Sequence, residues 1–97
     1  MEEKRVDEYL EKITIELKLK GMSNRTIQSY NFFLKPFLQS VENPETITLD
    51  GVKKFLAGLI DKYSNKSRAL AICSLRFFFK KIVKRPDILE ILEIPKK

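Results

Sequence analysis

The sequence predicts an all-α fold: a compact bundle of four main helices, with a short C-terminal helix as a fifth candidate element. Three observations predict it. Apolar residues recur at spacings of three and four through four separate segments, each segment is bracketed by residues that start or stop helices, and no stretch carries a β-hairpin signal. The 97 residues suffice for one hydrophobic core and not for two, so 1–97 reads as a single domain.

The first helix is expected over residues 3–20, where Val6, Tyr9, Leu10, Ile13 and Leu17 form the inward stripe and Glu2 and Glu3 suit the positive end of the helix dipole. Gly21 stops it. Ser23 stands where an N-cap belongs, and a second helix over 23–40 turns Ile27, Tyr30, Leu34, Phe37 and Leu38 inward. Pro36 lies inside that pattern and predicts a kink or an early break, because proline has no N–H to give the preceding turn. A loop over Glu42–Ile47 leads to Thr48, the cap of a third helix over 49–62 that buries Val52, Phe55, Leu56, Leu59 and Ile60. After a polar break at Ser64–Ser67, a fourth helix over 65–83 presents Ile72, Leu75, Phe78, Phe79 and Ile82 to the core. Residues 84–97 form an exit segment in which Leu89 and Leu92 support a short helix. Phe77, Phe78 and Phe79 together span about 200° of a regular helix, so they cannot all face one core, and Phe77 covers a neighbouring helix or a partner; the alternative, and the stronger reading, is that all three rings are ordinary core or satellite packing.

Charge is unevenly distributed. The net charge is +6 and the isoelectric point near 9.5, a balance that favours a polyanionic partner. Residues 1–49 carry seven Lys/Arg against eight Asp/Glu, whereas residues 50–97 carry twelve against five. Between Lys62 and Arg85 stand eight cations (Lys62, Lys66, Arg68, Arg76, Lys80, Lys81, Lys84 and Arg85) and no acid. On charge alone, such a run reads equally as a solvated face.

Several chemistries are excluded by what is missing. No histidine is present, which removes the commonest general base, the commonest metal ligand and every Ser-His or Cys-His pair. The glycines Gly21, Gly51 and Gly58 are isolated, so neither a phosphate loop nor a dinucleotide fingerprint exists. Cys73, alone, forms no internal disulfide and no multi-cysteine metal site. The carboxylates Glu2, Glu3, Asp7, Glu8 and Glu11 read as solvent-facing partners of Lys4, Arg5 and Lys12. No cofactor, metal or small-molecule substrate is expected. No apolar run approaches the ~20 residues that span a bilayer, and the N-terminus lacks the apolar core of a secretory signal; a cytoplasmic, nucleoid-associated protein is expected.

The chemistry that is present points to phosphates. Arg68, Arg76, Lys80 and Lys84 fall on an i, i+4 lattice with Ile72 as the apolar gap, flanked by Lys66, Lys81 and Arg85. That pattern gives a helix with a cationic outer side, able to lie against a DNA backbone or enter a major groove. Ser23, Asn24, Arg25 and Thr26 bring hydroxyls, an arginine and free backbone N–H groups to a helix start, with Gln28, Ser29 and Asn31 continuing the polar side. Ser64, Asn65, Lys66, Ser67 and Arg68 repeat the arrangement at the fourth helix.

The run from Met22 to Tyr30, followed by Leu34 and Phe37, resembles the S-x-x-T-I-x-x-Y-x-x-x-L-x-x-F signature of the core-binding, SAM-like domain of tyrosine recombinases, the phage-integrase and Xer-like family. Val52-Lys53-Lys54-Phe55-Leu56 resembles that family's third-helix D-V-x-x-F-L stretch. Ser67-Arg68 with Leu75-Arg76 and Phe78-Phe79 resembles its T-R-x-x-x-L-S-A-L-R-x-F-F. Arg85-Pro86 and Ile94-Pro95-Lys96 are similar to its exit toward a catalytic domain. Departures are Gly51 in place of an acid before the valine, Ser67 for threonine, and Arg85 for asparagine before proline.

The resemblance implies an N-terminal domain that helps form a C-shaped clamp on double-stranded DNA at a recombination core site, with the second and fourth helices crossing the major groove. It also implies contacts with other recombinase protomers. The family's catalytic residues belong to a second domain, so this one is expected to be non-catalytic, and Tyr9, Tyr30 and Tyr63 fall at scaffold positions. Ser23, Asn24, Arg25, Thr26, Lys66, Ser67, Arg68, Arg76, Lys80 and Lys84 are the expected DNA contacts. The competing reading is a helical protein-interaction module that sets its basic face on an acidic partner; a membrane-surface module is disfavoured because the cationic helix needs its apolar side for the core.

Overall fold

The structure is a computed structural model, and it describes residues 2–92. The expected exit residues Ile94, Pro95 and Lys96 lie outside them. The fold is all-α. Helices α1 (Glu3–Leu19), α2 (Asn24–Ser40), α3 (Leu49–Lys62) and α4 (Asn65–Phe77) follow in order, α4 continues as a π-helical turn (Phe78–Ile82), and a short α5 (Pro86–Leu89) closes the series.

Local chemistry fixes most of the boundaries. Ser23, Thr48 and Ser64 each accept a hydrogen bond from the backbone N–H three residues on, that of Thr26 (3.3 Å), Gly51 (3.1 Å) and Ser67 (3.5 Å), so three helices begin with the same hydroxyl cap. Gly21 ends α1 with φ +83°, while the Met22 and Gly21 N–H groups donate back to the carbonyls of Leu17 and Lys18. This paired closure needs a left-handed residue, which glycine supplies without a Cβ penalty. Met22 then packs on the core.

Ile13, Leu17, Leu34, Phe37, Leu38, Val52, Phe78, Phe79, Ile88 and Leu92 are fully buried. Phe37 of α2 sits at the centre, edge-to-face with Phe55 (5.0 Å between ring centres), Phe79 (5.7 Å) and Phe78 (6.3 Å). Such rings carry a large share of the stability: truncating a buried Phe costs ~3–5 kcal/mol, against a total of ~5–15 kcal/mol for a typical domain. A smaller cluster of Phe33, Leu59 and Ala71 joins α2, α3 and α4.

Three expectations need correction. Of the kink or early break expected at Pro36, the break is absent: α2 runs through Pro36 to Ser40. Proline lies on the exposed side of the helix, so the carbonyl it leaves without a partner, that of exposed Phe32, has access to water. Ile60 is not buried but 62% exposed, because α3 borders the core along one narrow line and buries only Val52 and Leu59. The fourth helix is not a regular α-helix to residue 83: the Val83 N–H donates to the Phe78 carbonyl five residues back, the register of a π turn. With that wider turn Phe78 and Phe79 both enter the core, and Ile82 and Val83 still pack against it. Phe77 belongs to the same buried cluster, so the three consecutive rings do share one core, and it also lies edge-on to Tyr30 of α2 at 6.0 Å.

Candidate nucleic-acid interface

The packing of α2 on α4 positions the two polar helix starts. Tyr30 meets Phe77 near the end of α4, whereas Phe33, three residues further along α2, meets Tyr63 (5.5 Å) and clusters with Ala71 nearer its beginning. The chain directions therefore oppose, and Ser23–Thr26 and Ser64–Arg68 lie toward opposite ends of the pair.

At the start of α2 the Ser23 hydroxyl both accepts the Thr26 N–H and donates to the Thr26 hydroxyl (3.1 Å). Asn24 and Arg25 are exposed beside it, and Thr26 is half-buried. Gln28 is exposed, Ser29 donates to the Arg25 carbonyl, and Asn31 turns inward to give a hydrogen bond to Thr14 of α1 (3.0 Å). Asn31 thus latches α1 to α2 instead of continuing the polar face. At the start of α4, Asn65 and Lys66 are exposed while Ser67 and Arg68 are half-buried. Each start retains the unpaired backbone N–H groups and partial positive charge of a helix N-terminus.

The cationic stripe expected on the fourth helix is divided. Ile72 is turned into the core. Arg76 is exposed, yet its Nη1 donates to the carbonyls of Leu89 (3.4 Å) and Leu92 (2.5 Å), tying α4 to the C-terminal turn. The π turn then splits the remaining cations between two hollows. Arg76, Lys80 and Lys81 border one that they share with Lys20, and Lys81 and Lys84 border the other with Lys12, Ile15, Glu16 and Ile82. Lys84 also holds the left-handed conformation that ends the π turn, with φ +60°.

Arg85, expected to flank the stripe, is committed elsewhere. Its guanidinium bonds Asp87 and the backbone carbonyls of Glu45 and Ile47, about forty residues back in the chain. The hydrogen bond from Arg85 holds the Asp87 carboxyl below the usual carboxylate range. Burial pushes the Tyr30 phenol above its ordinary value, and the neighbouring Cys73 adds to the shift. The tyrosines are scaffold: Tyr9 packs edge-on against Phe78 (5.7 Å), Tyr30 on Phe77 and Tyr63 on Phe33. Among the described residues no three His, Cys, Asp or Glu side chains converge as a metal site would require, and no helix is long and apolar enough to cross a membrane.

A family model described as the N-terminal SAM-like domain of phage integrase matches residues 9–88, a span that holds both helix starts and every cation of the two hollows. The chain belongs to the phage-integrase N-terminal SAM-like family. A curated member of the tyrosine recombinases, tyrosine recombinase XerA of Pyrococcus furiosus, is 38% identical to it over 74 residues, which cover 75% of this chain. The SAM-like chain spans 25% of the length of that relative. No solved structure matches it significantly.

The sequence signals for this SAM-like domain were therefore its capped helix starts and its run of cations. Lys20 escaped them, because it caps the end of α1, far from α4 in sequence, and reaches the α4 cations only through the fold.

Proposed function

We propose that this chain is the core-site DNA-binding domain of a site-specific tyrosine recombinase or integrase, gripping duplex DNA through α2 and α4 and leaving strand cleavage and rejoining to a catalytic domain. One observation carries the reading: two hydroxyl-capped, cation-bearing helix starts belong to one packed helix pair, α2 on α4. Each start offers backbone N–H groups and a cation to a phosphate. Arg25, Lys66, Arg68, Lys80 and Lys84 supply the charge; Ser23, Asn24, Thr26 and Ser67 supply polar contacts, and Arg76 stands between the two roles of groove contact and internal tie. Family membership supports the same reading, and a cytoplasmic, nucleoid-associated location would follow from it.

The test is a fluorescence-anisotropy titration against a labelled random duplex of about 30 base pairs across a series of salt concentrations. Micromolar or tighter binding with a steep negative salt slope is expected. No binding at low salt would overturn the proposal and favour a protein partner instead. That second reading has its own observation, an apolar groove between α2 and α3 lined by Phe33, Pro36, Phe55, Leu59 and Tyr63 with Lys54 and Lys62 on its rim.

A further inference from the structure

Lys20, Arg76, Lys80 and Lys81 are brought to one hollow from three elements: the end of α1, the last turn of α4 and the π turn. Its remaining lining is Tyr30, Cys73, Phe77 and Leu89, so among the described residues no acid lines it beside the four cations. Like charges gathered around one concavity repel, and the arrangement is relieved by an anion seated among them. Two of the four are held in place. The Lys20 ammonium stands over the Phe77 ring at 5.6 Å from its centre, and Arg76 is fixed by the carbonyls of Leu89 and Leu92. Lys20 also directly precedes the Gly21 turn that leads into the Ser23 cap, so the hollow adjoins the polar start of α2.

We infer that this hollow is a seat for a backbone phosphate of duplex DNA, with Lys20 and Lys81 as its ligands beside Lys80 and Arg76. The inference rests on the DNA-binding reading and extends the grip beyond α2 and α4 onto α1. A strand anchored at Ser23–Thr26 continues into the hollow, and α1 becomes part of the contact surface.

Cys73 supplies the test, since it is the single cysteine of the sequence, is partly exposed and lines the hollow. Alkylation of Cys73 by N-ethylmaleimide in the unaltered protein is expected to slow several-fold when duplex saturates it, and not to slow with inorganic phosphate at the same phosphate concentration. In parallel, the K20Q/K81Q variant is expected to lower the salt slope of duplex binding by ~0.9 for each lost contact, while a K4Q/K53Q control of equal charge leaves it unchanged. Duplex binding with unprotected Cys73 and an unchanged slope in K20Q/K81Q would overturn the seat and leave the DNA-binding proposal standing. Equal protection by inorganic phosphate would also overturn it, in favour of a free-anion site. Failure of the unaltered protein to bind duplex at all would instead sink the DNA-binding reading.

Discussion

Arg85 grips Asp87 with two parallel hydrogen bonds, Nε to one carboxylate oxygen at 3.0 Å and Nη2 to the other at 2.7 Å. The remaining nitrogen, Nη1, donates to the carbonyls of Glu45 (2.9 Å) and Ile47 (3.1 Å). One side chain therefore ties the loop between α2 and α3 to the segment that leads into α5, and a cation that looked available for DNA is internal to the scaffold.

Arg85→Lys keeps the charge and loses the planar fork. The variant is expected to be less stable by ~1–2 kcal/mol, from the bonds to the two carbonyls, with an unchanged salt slope for DNA binding. A thermal melt checks the first part. Equal stability would show that water serves the carbonyls of Glu45 and Ile47 as well as the guanidinium does.

The same contact has a pH signature. Asp87 is held below its ordinary range chiefly by the hydrogen bond from Arg85, so its stabilising contribution is fully present above the unfolded carboxylate pKa of ~4 and is lost as pH falls through the lower folded value. Melts of the protein and of Asp87→Asn are expected to differ at neutral pH and to converge in acid. The difference is small, because the carboxylate is solvent-exposed and such pairs are screened. A gap that widens on acidification would reverse the assignment.

Lys84 ends the π turn in the conformation that Gly21 adopts after α1, but with a Cβ to accommodate. A left-handed residue of this kind costs ~1–2 kcal/mol relative to right-handed backbone, and glycine relieves most of it. Lys84→Gly is expected to raise the melting temperature by several degrees while weakening DNA binding, two effects of opposite sign from one substitution. Lys84→Ala should weaken binding without the stability gain.

Arg76 separates structure from recognition. Arg76→Lys is expected to lower stability, because the shorter side chain stops its ammonium short of the Leu89 and Leu92 carbonyls that Nη1 bridges, and to leave the salt slope nearly unchanged because the charge remains. Lost preference for a particular base pair in this variant would instead mark Arg76 as a groove reader.

Helix starts were legible in the sequence because their chemistry is local: Ser23, Thr48 and Ser64 each cap an amphipathic segment, and Gly21 closes another. Periodicity found the core of α1 and α2 for the same reason. Ile60 misled it, since a 3.6-residue pattern assumes that a whole stripe meets the core, and α3 meets it along a line. No local signal distinguishes the π turn at Phe78–Ile82 from a regular helix; it arises where three consecutive phenylalanines are packed by α1 and α2. For the candidate interface, the cations could be counted but not their partners. Arg76 and Arg85 bind carbonyls 13 to 40 residues away, a relationship only the fold creates.

The slight embedding of α3 also sets where the molecule opens first. With only Val52 fully buried, this helix can detach at the cost of the Phe37–Phe55 contact while the rings of Phe37, Phe78 and Phe79 stay interlocked, so its amides should exchange with deuterium through brief local excursions well below the cost of global unfolding. Proteases would then find their earliest purchase along residues 49–62, and the α1–α2–α4 body would outlast the nick.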